Sequence, residues 1–382
     1  MHSKELAMAL TKYKLGKLIE LQDVRNTGGK YTVDDVRGIS TEKDFIETKA
    51  NLDGVSLDSY KIVQSNEFAY VADTSRRGDK IALALNTQGE ILISSIYTVF
   101  RVKRTDLLLS DFLFIYFNRP EFDRYARFNS WGSARETFNW EDMCDIELEL
   151  PSPEIQQKYV NIYKAMVENQ KSYERGLDDL KLVCDAYIED LRQVKYNKIK
   201  DYICKNTTRN QNKTYDKSDV KGFNNEGQFI EPMRLFSGDI STFKIIKSDD
   251  FVYNPRINSS IKKLSIALNE GKELIVSPAY ESFYINKSHE LNSAYLYMLL
   301  QREQFAKKVL FNSFGSSTLV FSLDDLGQVE IPVPNIEIQE NIIKVYKAYQ
   351  HRKAINEKLK EQIKNICPIL IKGSIEEAKK EA

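Results

Sequence analysis

Two stretches of this chain are variants of one another. Trp131 to Ala165 reads WGSARETFNWEDMCDIELELPSPEIQQKYVNIYKA, and Phe314 to Ala348 reads FGSSTLVFSLDDLGQVEIPVPNIEIQENIIKVYKA. They stand 183 positions apart, and the same spacing aligns residues 82–102 with 265–285. With one residue of slippage, YTVDDVRG at Tyr31 matches YDKSDVKG at Tyr215. A period of that length is too long for a solenoid unit and is about the size of a domain. The chain is therefore expected to fold as two copies of one plan, a covalent pseudo-dimer suited to a two-part target.

The 382 residues suffice for two or three domains with real cores, and 42% hydrophobic with 29% charged residues describes an ordinary soluble protein. The N-terminal stretch MHSKELAMALTKYKLGKL has neither a long apolar run nor a small-residue cleavage site, so no signal peptide is expected. No apolar segment approaches the roughly 20 residues of a membrane helix. Cys144, Cys184, Cys204 and Cys367 are scattered singly, which fits a reducing cytoplasm. His2, His289 and His351 show no metal-ligand spacing, so no metal site is expected. Lys plus Arg and Asp plus Glu both number 55. That balance argues against indiscriminate coating of nucleic acid but leaves room for local basic surfaces.

Four segments follow. Residues 1–153 and 197–336 contain short apolar runs punctuated by Gly, Asn, Asp and Ser, the pattern of short strands and turns. A helical stretch near 110–128 is expected to break around Pro120, and its counterpart spans Ser293 to Phe311. Residues 154–196 differ. Tyr159, Tyr163, Met166, Gln170, Tyr173, Leu177, Leu180, Cys184, Tyr187, Leu191 and Val194 alternate at steps of four and three, a heptad seam. Such a helix is a rod of roughly 65 Å and needs a partner. Residues 337–382 supply one, with Ile342, Val345, Tyr349, Leu359, Ile363, Ile366 and Leu370 as its stripe and Pro368 expected to kink or end it. PSPEIQ and PNIEIQ start the two rods with matching helix-entry signals. The pattern predicts an α+β fold: two tandem mixed domains separated by two long helices in an antiparallel coiled coil, pseudo-two-fold symmetric. The alternative is that each long helix folds back on its own domain as core.

Catalytic signatures are missing from the sequence. It holds no phosphate-cradling GxxxxGK[ST], no GxGxxG after a strand, no GxSxG elbow and no zinc deaminase motif. Asn254-Pro255-Arg256 superficially resembles the motif of amino-methylating enzymes but lacks its second proline and its aromatic, and reads as a turn. The acidic pairs Asp34-Asp35, Asp178-Asp179, Asp249-Asp250 and Asp324-Asp325 read as helix starts and solvated faces.

Basic residues say more. Arg76, Arg77 and Lys80 share a loop, and Arg256, Lys262 and Lys263 occupy the aligned loop of the second copy. Arg124 and Arg127, with Lys307 and Lys308 in the second copy, form another group. The GSxxxxF segments at 132–138 and 315–321 permit close backbone approach, and only the first carries Arg135. Loop arginines and lysines are natural phosphate contacts, and arginine also reads guanine. A solvated loop without ligand is the plain alternative for any one of them.

The doubled layout, GSxxxxF, then an acidic pair, then P-x-PxxEIQ and a long helix, resembles the specificity (S) subunit of Type I restriction-modification systems over nearly the whole chain. That resemblance implies two target-recognition domains, each binding half of a split double-stranded DNA sequence, with the helices as a ruler between them. It implies a non-catalytic chain on which two methyltransferase subunits bring S-adenosylmethionine and restriction subunits bring ATP-driven activity. The other readings are a DNA methyltransferase or nuclease with its own active site, and a coiled-coil scaffold that binds protein alone.

Overall fold

The structure is a computed structural model that describes residues 11–75, 80–133, 135–232, 238–257, 264–313 and 319–381. It divides into two compact units, Met1–Tyr173 with Ile355–Ala382, and Glu174–Ala354.

The elements of the first copy are β1 (Thr11–Lys14), β2 (Ile19–Gln22), β3 (Arg37–Ile39), β4 (Phe45–Glu47), β5 (Lys61–Val63), β6 (Glu67–Tyr70), β7 (Leu83–Leu85), β8 (Ile91–Ile93) and β9 (Thr98–Val102). Then come α1 (Ser110–Phe117), α2 (Pro120–Phe128), α3 (Trp140–Cys144), β10 (Glu147–Leu150) and the long α4 (Pro153–Asp190). The second copy runs β11 (Tyr196–Lys198), β12 (Ile203–Lys205), β13 (Gly222–Phe223), β14 (Phe229–Ile230), β15 (Lys244–Ile246), β16 (Phe251–Tyr253), β17 (Arg256–Ile257), β18 (Ile266–Leu268), β19 (Leu274–Val276) and β20 (Glu281–Ile285). It finishes with α5 (Ser293–Leu300), α6 (Glu303–Phe311), β21 (Leu319–Val320), α7 (Leu323–Gln328), β22 (Glu330–Pro332) and α8 (Ile336–Glu381).

The duplication is visible strand by strand. An antiparallel sheet of order β2-β9-β6-β7 in the first unit repeats as β12-β20-β16-β18 in the second. The pairs β1-β10, β5-β8 and β3-β4 repeat as β11-β22, β15-β19 and β13-β14. The central strands are buried on both faces: alternation sends Phe68, Tyr70, Leu83 and Leu85 to one core and Ala69 and Ala84 to another, and the larger cores of the two copies match in detail. Phe68 and Phe100 stack at 4.9 Å with rings 7° apart, and Phe251 and Phe283 stack at 4.7 Å and 5°.

Proline sets one helix break and not another. Pro120 stands at the first position of α2, where its missing N–H costs nothing. The matching stretch has no proline, yet it also divides: Arg302 is extended, and its guanidinium reaches Asp185 at 3.2 Å. The helical stretch expected from Ser293 to Phe311 is thus two helices. Conversely, Pro368 does not end α8, which continues to Glu381. Burial explains this: Cys367, Leu370 and Ile371 around the proline sit in the first unit's core, which holds the helix through the lost bond.

Each unit also pairs the long helices antiparallel. In the first, Lys158 meets Glu377 at 2.7 Å, the Tyr159 hydroxyl donates to Glu377 at 3.0 Å, Gly373 lies against the Tyr159 ring, and the Gln170 amide donates to Asn356 at 3.0 Å. In the second, Gly176 lies against Arg352. Leu177, Leu191 and Ile342 are buried, while Tyr159, Tyr163, Met166, Tyr173, Leu180, Tyr349, Leu359 and Ile363 are half-buried. Tyr187 departs from expectation: it is 46% exposed, and Ile188 packs on the core instead. A straight helix turns every 3.6 residues, so a strict 3.5-residue seam drifts off the buried face after several turns. Pairing is only half of what these faces do. Val160, Cys367, Leu370 and Ile371 belong to the first mixed core, and Leu191, Ile342 and Ile343 to the second.

Candidate nucleic-acid interface

The loops that carry the basic residues are anchored alike in both units. In the first, Asp73 bridges Thr137 antiparallel, Trp131 also bridges Thr137, and the Thr74 amide donates to the Glu136 carbonyl at 3.0 Å. In the second, the corresponding positions form the β17-β21 ladder, with Arg256 opposite Val320 and Ile257 opposite Leu319. Each GSxxxxF segment therefore pairs with the stretch that runs into the variable basic loop. Gly132 shows why glycine is needed: its φ is +147°, and a Cβ there would strike the Arg135 carbonyl.

Arg135 and Arg256 are exposed beside these ladders, with no acidic partner among the described residues. Arg76, Arg77, Lys262 and Lys263 lie outside the described residues. The other cations have neighbours. Lys80 meets Glu42 at 2.9 Å, and Lys364 of α8 binds the same carboxylate. Those two ammonium groups, Lys364 first, hold the Glu42 carboxyl down at about 2. Arg124 pairs with Glu121 at 3.4 Å, Arg127 with Glu136, and Lys307 with Glu303 at 3.7 Å. Lys308 donates to the Glu330 carbonyl at 3.1 Å and stands over the Tyr196 ring, so it faces β11 and β22. The structure therefore places Arg127 and Arg135 at the first unit's ladder, ties Lys80 to Glu42, and sets Lys308 against β11 and β22.

The turn reading of Asn254-Pro255-Arg256 agrees with the geometry. The Asn254 side chain accepts from the Arg256 amide at 3.1 Å, and the Pro255 carbonyl accepts from Phe321 at 2.9 Å. Asp35 and Asp325 complete capping boxes with Thr32 and Ser322. Asp250 is buried against Asn206 at 2.9 Å. Among the described residues no group of His, Cys, Asp and Glu is arranged to hold a metal, and no helix is long and apolar enough to cross a membrane.

Three features escaped the sequence reading. The first is a pair of buried glutamines. Gln156 accepts from the Leu109 amide at 2.9 Å and donates to the Leu107 and Pro151 carbonyls at 2.7 and 2.9 Å. Gln339 repeats all three bonds with Asn292, Glu290 and Pro334 at 2.9, 2.7 and 2.8 Å. The duplicated EIQ was the signal. The second is a buried ion pair found in the first unit, Lys43 with Asp123 at 2.5 Å, in which Asp123 also accepts from the Ile81 amide at 3.2 Å. Burial pulls the Lys43 ammonium down, against the pull of Asp123. The third is the segment Val24-Arg25-Asn26, which matches Thr208-Arg209-Asn210 one residue off the main spacing.

Fold and loops together define a class: a duplicated scaffold that presents the same loop ladder twice. Residues 194–365 match the family described as Type I restriction modification DNA specificity domain. The chain has the fold of the Type I restriction-modification S subunit from M. genitalium, with a TM-score of 0.57 at 12% identity over 98% of both chains. The HsdS subunit from Thermoanaerobacter tengcongensis aligns over 98% of both chains at 13% identity, with a TM-score of 0.38. No curated protein matches the sequence. The matched residues cover the second copy and most of α8.

Proposed function

We propose that this chain is the non-catalytic DNA-reading subunit of a Type I restriction-modification complex, in which each copy reads one half of a split duplex target. The observation that carries the reading is the repeated ladder: the described strands that flank two segments of different basic sequence are paired at matched places in the two copies. Reading heads that differ in loop sequence and share a frame suit two half-sites of different sequence, since base edges are read by side chains and phosphates only position. The match of residues 194–365 to the DNA specificity domain family supports the same reading.

Two methyltransferase subunits would dock on the chain and hold S-adenosylmethionine, and restriction subunits would hold ATP. The long helices would set the gap between half-sites, so that inserting residues into α4 alters the gap and leaves the half-sites unchanged. The test is retention of duplex DNA by the chain with its methyltransferase partner across a salt series. Affinity should fall steeply as salt rises. Methyl transfer by the purified chain alone would overturn the non-catalytic reading, and no DNA binding in the presence of the partner would overturn the whole.

A further inference from the structure

One charged cluster is built twice, and the two versions are not neutralised alike. In the first unit Arg25 bridges Lys61 antiparallel, and both serve Asp23: Arg25 Nη2 lies 3.0 Å and Lys61 Nζ 3.4 Å from the carboxylate. Arg25 Nη1 donates to the Ser59 carbonyl at 3.0 Å, so every nitrogen of the guanidinium is engaged. Lys61 also donates to the Tyr97 carbonyl.

The second unit keeps the frame. Arg209 bridges Lys244, and Lys244 donates to the Tyr280 carbonyl. The neighbouring Asn26 and Asn210 make the same two bonds to Tyr31 and Tyr215, which fixes the equivalence residue by residue. At the place of Asp23, however, stands Thr207. No carboxylate reaches Arg209 among the described residues, and its Nη1 is buried without a hydrogen-bond partner. A third cation is added as well. Lys205 and Lys244 lie 3.6 and 3.5 Å from one oxygen of Glu281, the sole carboxylate that either of them meets among the described residues. Lys244 is almost wholly buried while Lys205 is half exposed, and Lys205 together with Thr207 lines a cleft of about 680 Å³, which Asp249 and Asp250 also line. Burial lowers the Lys244 ammonium, Glu281 opposes this, and Arg209 adds to the fall. An unpaired buried guanidinium nitrogen is costly, and three cations against one carboxylate leave charge for a ligand to answer.

We infer that the second unit carries an oxyanion site, formed by Arg209 with Lys205 and Lys244, that takes a phosphate group in the role Asp23 plays in the first unit. Arginine's planar fork suits two phosphate oxygens as it suits the two carboxylate oxygens of Asp23. Where the phosphate belongs to DNA, the inference rests on the function proposed above. A free phosphate ion offers the same chemistry.

The discriminating variant is Thr207→Asp, which supplies the first unit's carboxylate and preserves the fold by precedent. Arg209→Ala removes the fork, and Arg25→Ala is the control. Inorganic phosphate should raise the melting temperature of the full chain and of Arg25→Ala, and should leave both Thr207→Asp and Arg209→Ala unmoved. With the methyltransferase partner, Thr207→Asp and Arg209→Ala should each weaken duplex binding about tenfold and lower the slope of log affinity against log salt by about one. Both effects together assign the site to a DNA phosphate. The phosphate effect with an unchanged DNA slope supports the site and names free phosphate as its ligand. A phosphate effect in a chain that binds no DNA would sink the function and keep the site. Equal response of all four proteins to phosphate and to DNA would overturn the inference.

Discussion

In the first unit Arg25 rests against Asp23, and in the second Arg209 finds Thr207 at that place. Around this difference the match is close. The four-stranded sheets have the same order, the core phenylalanines stack alike, and the two buried glutamines make the same three bonds. The comparison teaches that the frame and the charged surface are separable. Burial and backbone hydrogen bonds preserve the first, because a lost methylene or an unpaired amide is costly. The second diverges at a position, Asp23 or Thr207, that faces solvent.

The frame can be broken symmetrically. Phe100→Ala and Phe283→Ala empty equivalent core positions and should each cost about 3–5 kcal/mol, measured by chemical denaturation of the full chain. Losses that differ by more than the measurement error would show that the two cores are not equivalent. Next come the glutamines. Gln156→Ala or Gln339→Ala leaves one amide and two carbonyls without their partner, at about 2–3 kcal/mol each. The hydrogen-exchange protection of Leu109 or Asn292 should fall selectively in the affected copy. An unprotected amide in both copies of one variant would contradict the local reading.

The smallest effect is electrostatic. Glu42 has its folded carboxyl at about 2, below its ordinary 4.5, because Lys364 and Lys80 bind the charged form. A depressed carboxyl contributes stability that is present above about pH 4.5 and lost as pH falls towards 2. The side chain is half exposed, so solvent screening limits this to about 1 kcal/mol or less. Glu42→Gln should therefore melt slightly lower than the parent at pH 6, with the gap closing as pH approaches 2. A gap that widened with acid would reverse the sign of the argument.

Much of the frame was legible in the residues, because a duplicated core repeats its apolar spacing and its caps. The break at Pro120 and the long seam of α4 follow from backbone chemistry that any chain obeys. The break at Arg302 was hidden because no proline marks it; Arg302 is extended there and meets Asp185, far away in sequence. Continuity through Pro368 was hidden because the core around Cys367 overrides a local rule. Tyr187 was placed on the seam by a 3.5-residue count where the helix keeps 3.6. Of the basic residues, Lys308 is held at the surface by a carbonyl, and Arg209 went unnoticed since a lone arginine shows nothing until its missing carboxylate is seen.

The account rests on two copies reading two separate half-sites, and the adenine and cytosine methylation pattern in cells carrying this chain and its methyltransferase partner tests it most directly. The predicted result is one motif in two short specific parts separated by a gap of constant length, with the gap alone altered by a four-residue insertion near Gln170. A single uninterrupted motif, or no sequence-specific methylation at all, would contradict it.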